Sequence, residues 1–154
     1  MLFLFFSILV LNMICFLVPR RLSWIEILVT TLFGLYFEAL VNVYLDLKYD
    51  LYGVFNKGVD WAGLIPHFGM YPALSYLVLN FYPRDKNITR IIVYLLAWTI
   101  FSVAYECISR ATDVLYYNGW RWWYSAIVYP LIFLILWYNL KFTRWVIKKS
   151  LSAD

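Results

Sequence analysis

The sequence predicts an all-α integral membrane protein, a bundle of five transmembrane helices. Three observations carry that prediction. Apolar residues make up 64% of the 154-residue chain and charged residues only 14%, whereas a soluble domain carries about 25% charged. Five apolar stretches reach or approach the roughly 20 residues that a hydrocarbon core requires. The residues between them are too few for a separate soluble domain, so 1–154 reads as a single transmembrane domain. The same composition excludes a soluble enzyme, a disordered chain and a nucleic-acid module.

The spans fall at 2–18, 24–45, 62–82, 89–109 and 122–140. The first has no basic leading residues and no small-residue cleavage site ahead of Pro19, Arg20 and Arg21, so it reads as a retained span and not a secretory signal. Met13 and Ile14 stand where lipoprotein processing at Cys15 would need small side chains, which leaves Cys15 a plain buried thiol. The third span is interrupted in its outer half by Gly63, Pro66, Gly69 and Pro72. That pattern predicts either a helix that starts late, with proline near its first turn, or broken backbone bordering a cavity. Asn87 precedes the fourth span as a helix cap. Lys141, Arg144, Lys148 and Lys149 follow the fifth as a basic anchor to anionic lipid.

Orientation follows from the short loops, because cytoplasmic loops carry the excess of Lys and Arg. Of the 13 basic residues, Arg20, Arg21, Arg84, Lys86, Arg90, Lys141, Arg144, Lys148 and Lys149 fall on one side, and Lys48, Lys57, Arg110 and Arg121 on the other. The N-terminus is therefore expected outside and the C-terminus in the cytoplasm. Trp61, Trp120, Trp122 and Trp123 mark the outer boundary, and Trp24 and Trp145 the inner one. This arrangement separates Cys15 from Cys107, so no disulfide is expected. In the loop 46–61, Asp46, Asp50, Asn56 and Asp60 lie among Leu51, Tyr52, Val54 and Phe55 without the spacing of a calcium loop. The segment is expected to lie in the interface with its aromatic rings among the headgroups.

Spans two and four share a pattern, Thr31-Leu-Phe-Gly-Leu-Tyr-Phe-Glu38 against Thr99-Ile-Phe-Ser-Val-Ala-Tyr-Glu106, and the spans after them share Tyr71-Pro72 and Tyr129-Pro130. One reading is a duplicated two-helix unit following the first helix; chance similarity in an aromatic-rich chain is the other. In the second span Thr31, Gly34, Glu38, Asn42 and Asp46 fall on one helical face, and in the fourth Thr99, Ser102, Glu106, Ser109 or Arg110, and Asp113 do the same. Such faces turn into the bundle, where small and polar side chains pack closely.

Glu38 and Glu106 should lie at one depth in the outer half, with His67 entering near the same level. Glu38, Glu106, His67 and Asn42 are the candidate polar cluster. An ionised carboxylate within lipid is costly, so each must be neutral, paired or open to water. Two readings stay open: a proton or cation site with His67 titrating near neutrality, or hydrogen-bonded carboxyls that lock helices together. For His67 itself, beside Pro66 and Gly69, a hydrogen-bonded structural ring is the simpler reading.

No HExxH, nucleophile elbow, phosphate-binding loop or CxxC motif occurs, so neither cofactor nor metal is expected. The runs Tyr49 to Trp61, Leu79-Asn80-Phe-Tyr-Pro83, Tyr117-Asn-Gly-Trp120 and Tyr124 to Pro130 resemble an uncharacterised family of small multi-spanning membrane proteins from Gram-positive spore-forming bacteria. The resemblance implies a bacterial cytoplasmic membrane and names no activity or site residue. The expected role is a non-enzymatic accessory, sensor or structural membrane component. The alternative is a small proton- or cation-coupled transporter using the Glu pair. Expected partners are the lipid bilayer and a homo-oligomer or larger membrane complex, not nucleic acid.

Overall fold

Helix α1 (Leu2–Leu17) ends where Val18 turns extended, ahead of Pro19. A Ser23/Glu26 capping box opens α2 (Trp24–Asn42): Glu26 N–H donates to Ser23 Oγ at 3.2 Å and Ser23 N–H to Glu26 Oε2 at 2.7 Å. The last turn of α2 widens into a π-helical segment, Val43–Lys48. A short strand β1 (Tyr52–Val54) follows, then a 3-10 turn, Trp61–Gly63. Helices α3 (Leu64–Gly69) and α4 (Tyr71–Asn80) are separated at Met70, and α4 carries Pro72 in its first turn. Asn87 caps α5 (Ile88–Ala111), its Oδ1 accepting from the Thr89 and Arg90 amides. Strand β2 (Leu115–Tyr117) and the long α6 (Trp122–Leu151) complete the chain. This computed structural model describes residues 1–58, 61–84 and 87–152; Asp60 of the outer loop and Lys86 of the basic cluster lie outside them.

The protein is an all-α bundle, 77% helical. Four helical segments are long and apolar enough to cross a membrane, Trp24–Lys48, Trp61–Asn80, Ile88–Ala111 and Trp122–Leu151, while the apolar Leu2–Leu17 is shorter. Large apolar side chains face outward along these helices; Leu2 is 89% exposed and Phe16 is 90% exposed. The inside is small. One cluster joins Leu11, Met70, Ala73 and Leu77. A second, nearer the opposite end, joins Leu22, Leu79, Leu136 and Leu140. Polar anchors tie α1 along the third segment: Asn12 Nδ2 donates to the Gly69 carbonyl at 2.9 Å, the Cys15 thiol to the Ala73 carbonyl at 3.6 Å, and Asn80 Nδ2 to the Pro19 carbonyl at 3.1 Å.

The structure bears on three expectations. Within the loop 46–61, β1 pairs antiparallel with β2 in the register Tyr52↔Tyr117, Gly53↔Tyr116 and Val54↔Leu115, a pairing that the interfacial reading did not include. Of the two readings of the third span, the structure agrees with broken backbone and not with a late start: the segment begins at Trp61 and breaks at Met70, which borders a cavity. The last helix continues to Leu151, beyond the expected end at Leu140, because hydropathy marks where the apolar stretch stops and not where helical propensity stops.

The β1–β2 ribbon repeats its own geometry. Asp50 (φ 50°) and Asp113 (φ 55°) both take the left-handed conformation just ahead of the two strands. The Phe55 amide donates to the Val114 carbonyl at 3.1 Å, and the Asn118 amide to the Leu51 carbonyl at 2.9 Å. Each of these pairs exchanges under one local twofold axis through Gly53 and Tyr116, which are opposed in the ladder. Gly53 is required by close approach: a Cβ there would strike the Tyr116 ring.

Candidate functional site

The inward stripes of α2 and α5 bring two carboxyl groups beneath the ribbon. In α2, Gly34 lets α4 and α6 approach, with Ser75 Oγ 3.0 Å and a Leu136 methyl 3.6 Å from where its Cβ would stand. One turn on, Glu38 pairs with His67 Nδ1 of α3 and accepts from the Asn42 side-chain amide. Asn42 in turn accepts from the Tyr52 hydroxyl of β1 at 2.9 Å. The result is a chain of polar contacts, Tyr52 to Asn42 to Glu38 to His67, linking three elements. His67 meets the rings of Phe68 and Tyr71 edge-on at 4.8 and 6.3 Å.

Glu106 of α5 is buried at 8% exposure and collects three hydroxyls. Tyr117 of β2 donates to Oε1, Ser125 of α6 donates to the same oxygen at 2.8 Å, and Tyr129 of α6 donates to Oε2 at 2.8 Å. Trp120 extends the network, its indole N–H donating to Ser125 Oγ at 2.8 Å. Trp120 is thus half-buried beside the carboxylate network.

All four expected site residues therefore take part, but in two groups. Glu38, Asn42 and His67 form one; Glu106 forms the other with Tyr117, Ser125 and Tyr129, and His67 does not join it. A single cavity of about 210 Å³ touches both Glu38 and Glu106, roofed by Tyr52, Leu115 and Trp120 and walled by α2, α4, α5 and α6. A smaller one of about 120 Å³, beside Pro66, Met70 and Tyr71 at the break between α3 and α4, also reaches Glu106. Both are below the roughly 300–1,000 Å³ of organic ligand pockets. They have room for water or a small ion.

No protein-family model, no curated protein and no solved structure matches this chain. The site must be read from its own chemistry. Of the predicted α5 stripe, Thr99, Ser109 and Glu106 are buried and Ser102 lines the cavity, whereas Arg110 and Asp113 are exposed. Arg110 instead lies over the Tyr117 ring, 4.9 Å from its centre. Among the described residues no three His, Cys, Asp or Glu side chains gather as a metal site would need.

Sequence reading missed the hydroxyls of Tyr117, Ser125 and Tyr129. A signal for two of them was present: the offset that aligns Tyr71-Pro72 with Tyr129-Pro130 also places Ser125 against His67. Under that alignment each carboxylate meets a polar side chain from a matching position, Glu38 from His67 and Glu106 from Ser125. Glu26 was missed too, although Ser23-x-x-Glu26 spells a capping box. Its second oxygen accepts from Arg144 Nε at 2.6 Å, tying the start of α2 to α6.

Outside the helices, the Lys57 ammonium beside Asp50 holds that carboxyl below the usual aspartate value, with Asn118 Nδ2 donating at 2.7 Å as a lesser cause. Burial pushes the Tyr116 hydroxyl up.

Proposed function

We propose that this is a five-span protein of the bacterial cytoplasmic membrane, with its N-terminus outside and C-terminus inside. It acts without catalysis as an accessory, sensor or structural membrane component. The observation that carries this reading is that both carboxyl groups are held by side chains of other elements: Glu106 by β2 and α6, and Glu38 by His67 of α3, with Asn42 of its own helix donating to it as well. Interhelical polar bonds of this kind fasten helices where lipid supplies no hydrophobic drive for association. Four long apolar helices support the spans, and α1 runs alongside the third segment from Gly69 to Asn80, with its Phe3 ring stacked on Tyr105 of α5 at 5.2 Å. The ribbon's local twofold supports a duplicated helix-strand-helix unit after α1, its axis along the membrane normal. A component of this kind works in a homo-oligomer or a larger membrane complex.

A second reading is a small proton- or cation-coupled transporter. It draws on the cavity that touches both Glu38 and Glu106, because intramembrane acids mark ion pathways by default. Wild-type protein and the double variant Glu38→Gln, Glu106→Gln, reconstituted in vesicles carrying a pH gradient, separate the two. The fastening reading expects no flux from either and lower stability for the variant. Proton or cation flux in the wild type that disappears in the variant would overturn it in favour of transport.

A further inference from the structure

At the end of the bundle opposite the ribbon lies a cleft of about 710 Å³, within the size range of ligand sites. Three separate stretches bring four cations to its walls: Arg21 before α2, Arg84 after α4, and Lys141 and Arg144 on α6. Of these four, only Arg144 has a carboxylate partner among the described residues, Glu26. The walls are held firmly. Asn80, 2% exposed, accepts from the Arg21 amide at 2.7 Å and donates to the Pro19 carbonyl. Arg84 reaches back to the Arg21 carbonyl at 3.3 Å, and Lys141 lies 3.7 Å from the centre of the Trp137 ring.

Tyr82, 6% exposed, backs the cleft with its ring stacked on Trp137 at 4.9 Å. Leu79 and Leu140, each 3% exposed, continue the cleft into apolar surface. A phosphate with an apolar body matches both halves.

We propose that this cleft binds the phosphate headgroup of an anionic lipid, held by Arg21, Arg84, Lys141 and Arg144. Basic pockets between membrane helices at the cytoplasmic side bind such headgroups. The lipid source rests on the membrane reading above, and the two fail separately: residence in the membrane is read by resistance to alkaline extraction, headgroup selectivity by the comparison below.

The test measures thermal unfolding and lipid retention of the purified full chain in neutral micelles. The probes are dioleoyl phosphatidylglycerol, dioleoyl phosphatidylcholine and inorganic phosphate. Phosphatidylglycerol should raise the unfolding temperature and be retained, with phosphatidylcholine inert. The exposed pair Arg84→Gln, Lys141→Gln should weaken retention about 30-fold, from two lost surface cations. Stabilisation by inorganic phosphate alone, abolished in the same variant, would uphold the oxyanion site and assign a soluble phosphate as its source. Equal retention of both lipids, or full retention by the double variant, would overturn the proposal.

Discussion

Glu106 accepts from Tyr117, Ser125 and Tyr129, and its replacement by Gln turns one acceptor oxygen into a donor that faces hydroxyls. At least one buried hydroxyl then loses its partner, which costs about 1–3 kcal/mol. Glu106→Gln should therefore lower unfolding stability in micelles by that amount, and unchanged stability would show that the carboxylate does not fasten α5 to α6. A separate residue-level consequence lies in the loop, where Lys57 holds the Asp50 carboxyl below its usual value. A lowered carboxylate contributes stability above the unfolded-state value of about 3.9 and loses it as pH falls through the folded one. Lys57→Gln should shift the Asp50 titration, followed by carboxyl NMR, back upward; an unmoved midpoint would remove Lys57 as the cause. Of these residues, helical spacing placed Glu38, Asn42 and Glu106 on inward faces. It gave no view of Tyr117, Ser125 and Tyr129, which reach Glu106 from other elements.

The helices were legible because each long one is an apolar run; a cap was readable for α5 at Asn87, while the Ser23-x-x-Glu26 capping box of α2 went unread. The ribbon was not. Two three-residue strands far apart in sequence carry little local pattern, and only the fold brings them into register. The break at Met70 was half legible, since Pro66, Gly69 and Pro72 announce irregular backbone without fixing where it falls. At the start of α2 one side chain serves two ends. Glu26 closes the capping box and also accepts from Arg144, so Ser23→Ala removes a cap worth about 0.5–2 kcal/mol and loosens the seat of that ion pair. Ser23→Ala should lower thermal stability by that amount and speed amide exchange in the first turn of α2. Loss of stability without faster exchange there would place the effect elsewhere.

Across the whole molecule the basic residues sort to opposite ends. Arg21, Arg84, Lys141 and Arg144 surround one cleft, while Arg110 and Arg121 lie beside a cavity next to the ribbon with Lys57 on its loop. The proposed orientation, which rests on nine basic residues against four and the excess of Lys and Arg in cytoplasmic loops, would put the cleft inside and the ribbon outside. Single cysteines test this in a background where Cys15 and Cys107 are replaced by Ala. A membrane-impermeant thiol reagent added to intact cells should label Lys57→Cys, and should label Arg84→Cys only after permeabilisation. Lys57 is suited to this, its side chain being 74% exposed. Labelling of Arg84→Cys from outside would invert the protein. The cleft would then face the exterior, and the anionic leaflet that draws polybasic surfaces lies on the cytoplasmic side. Orientation and headgroup binding are thus linked: with the cleft inside, the same cations that set the topology are placed where anionic headgroups are most concentrated.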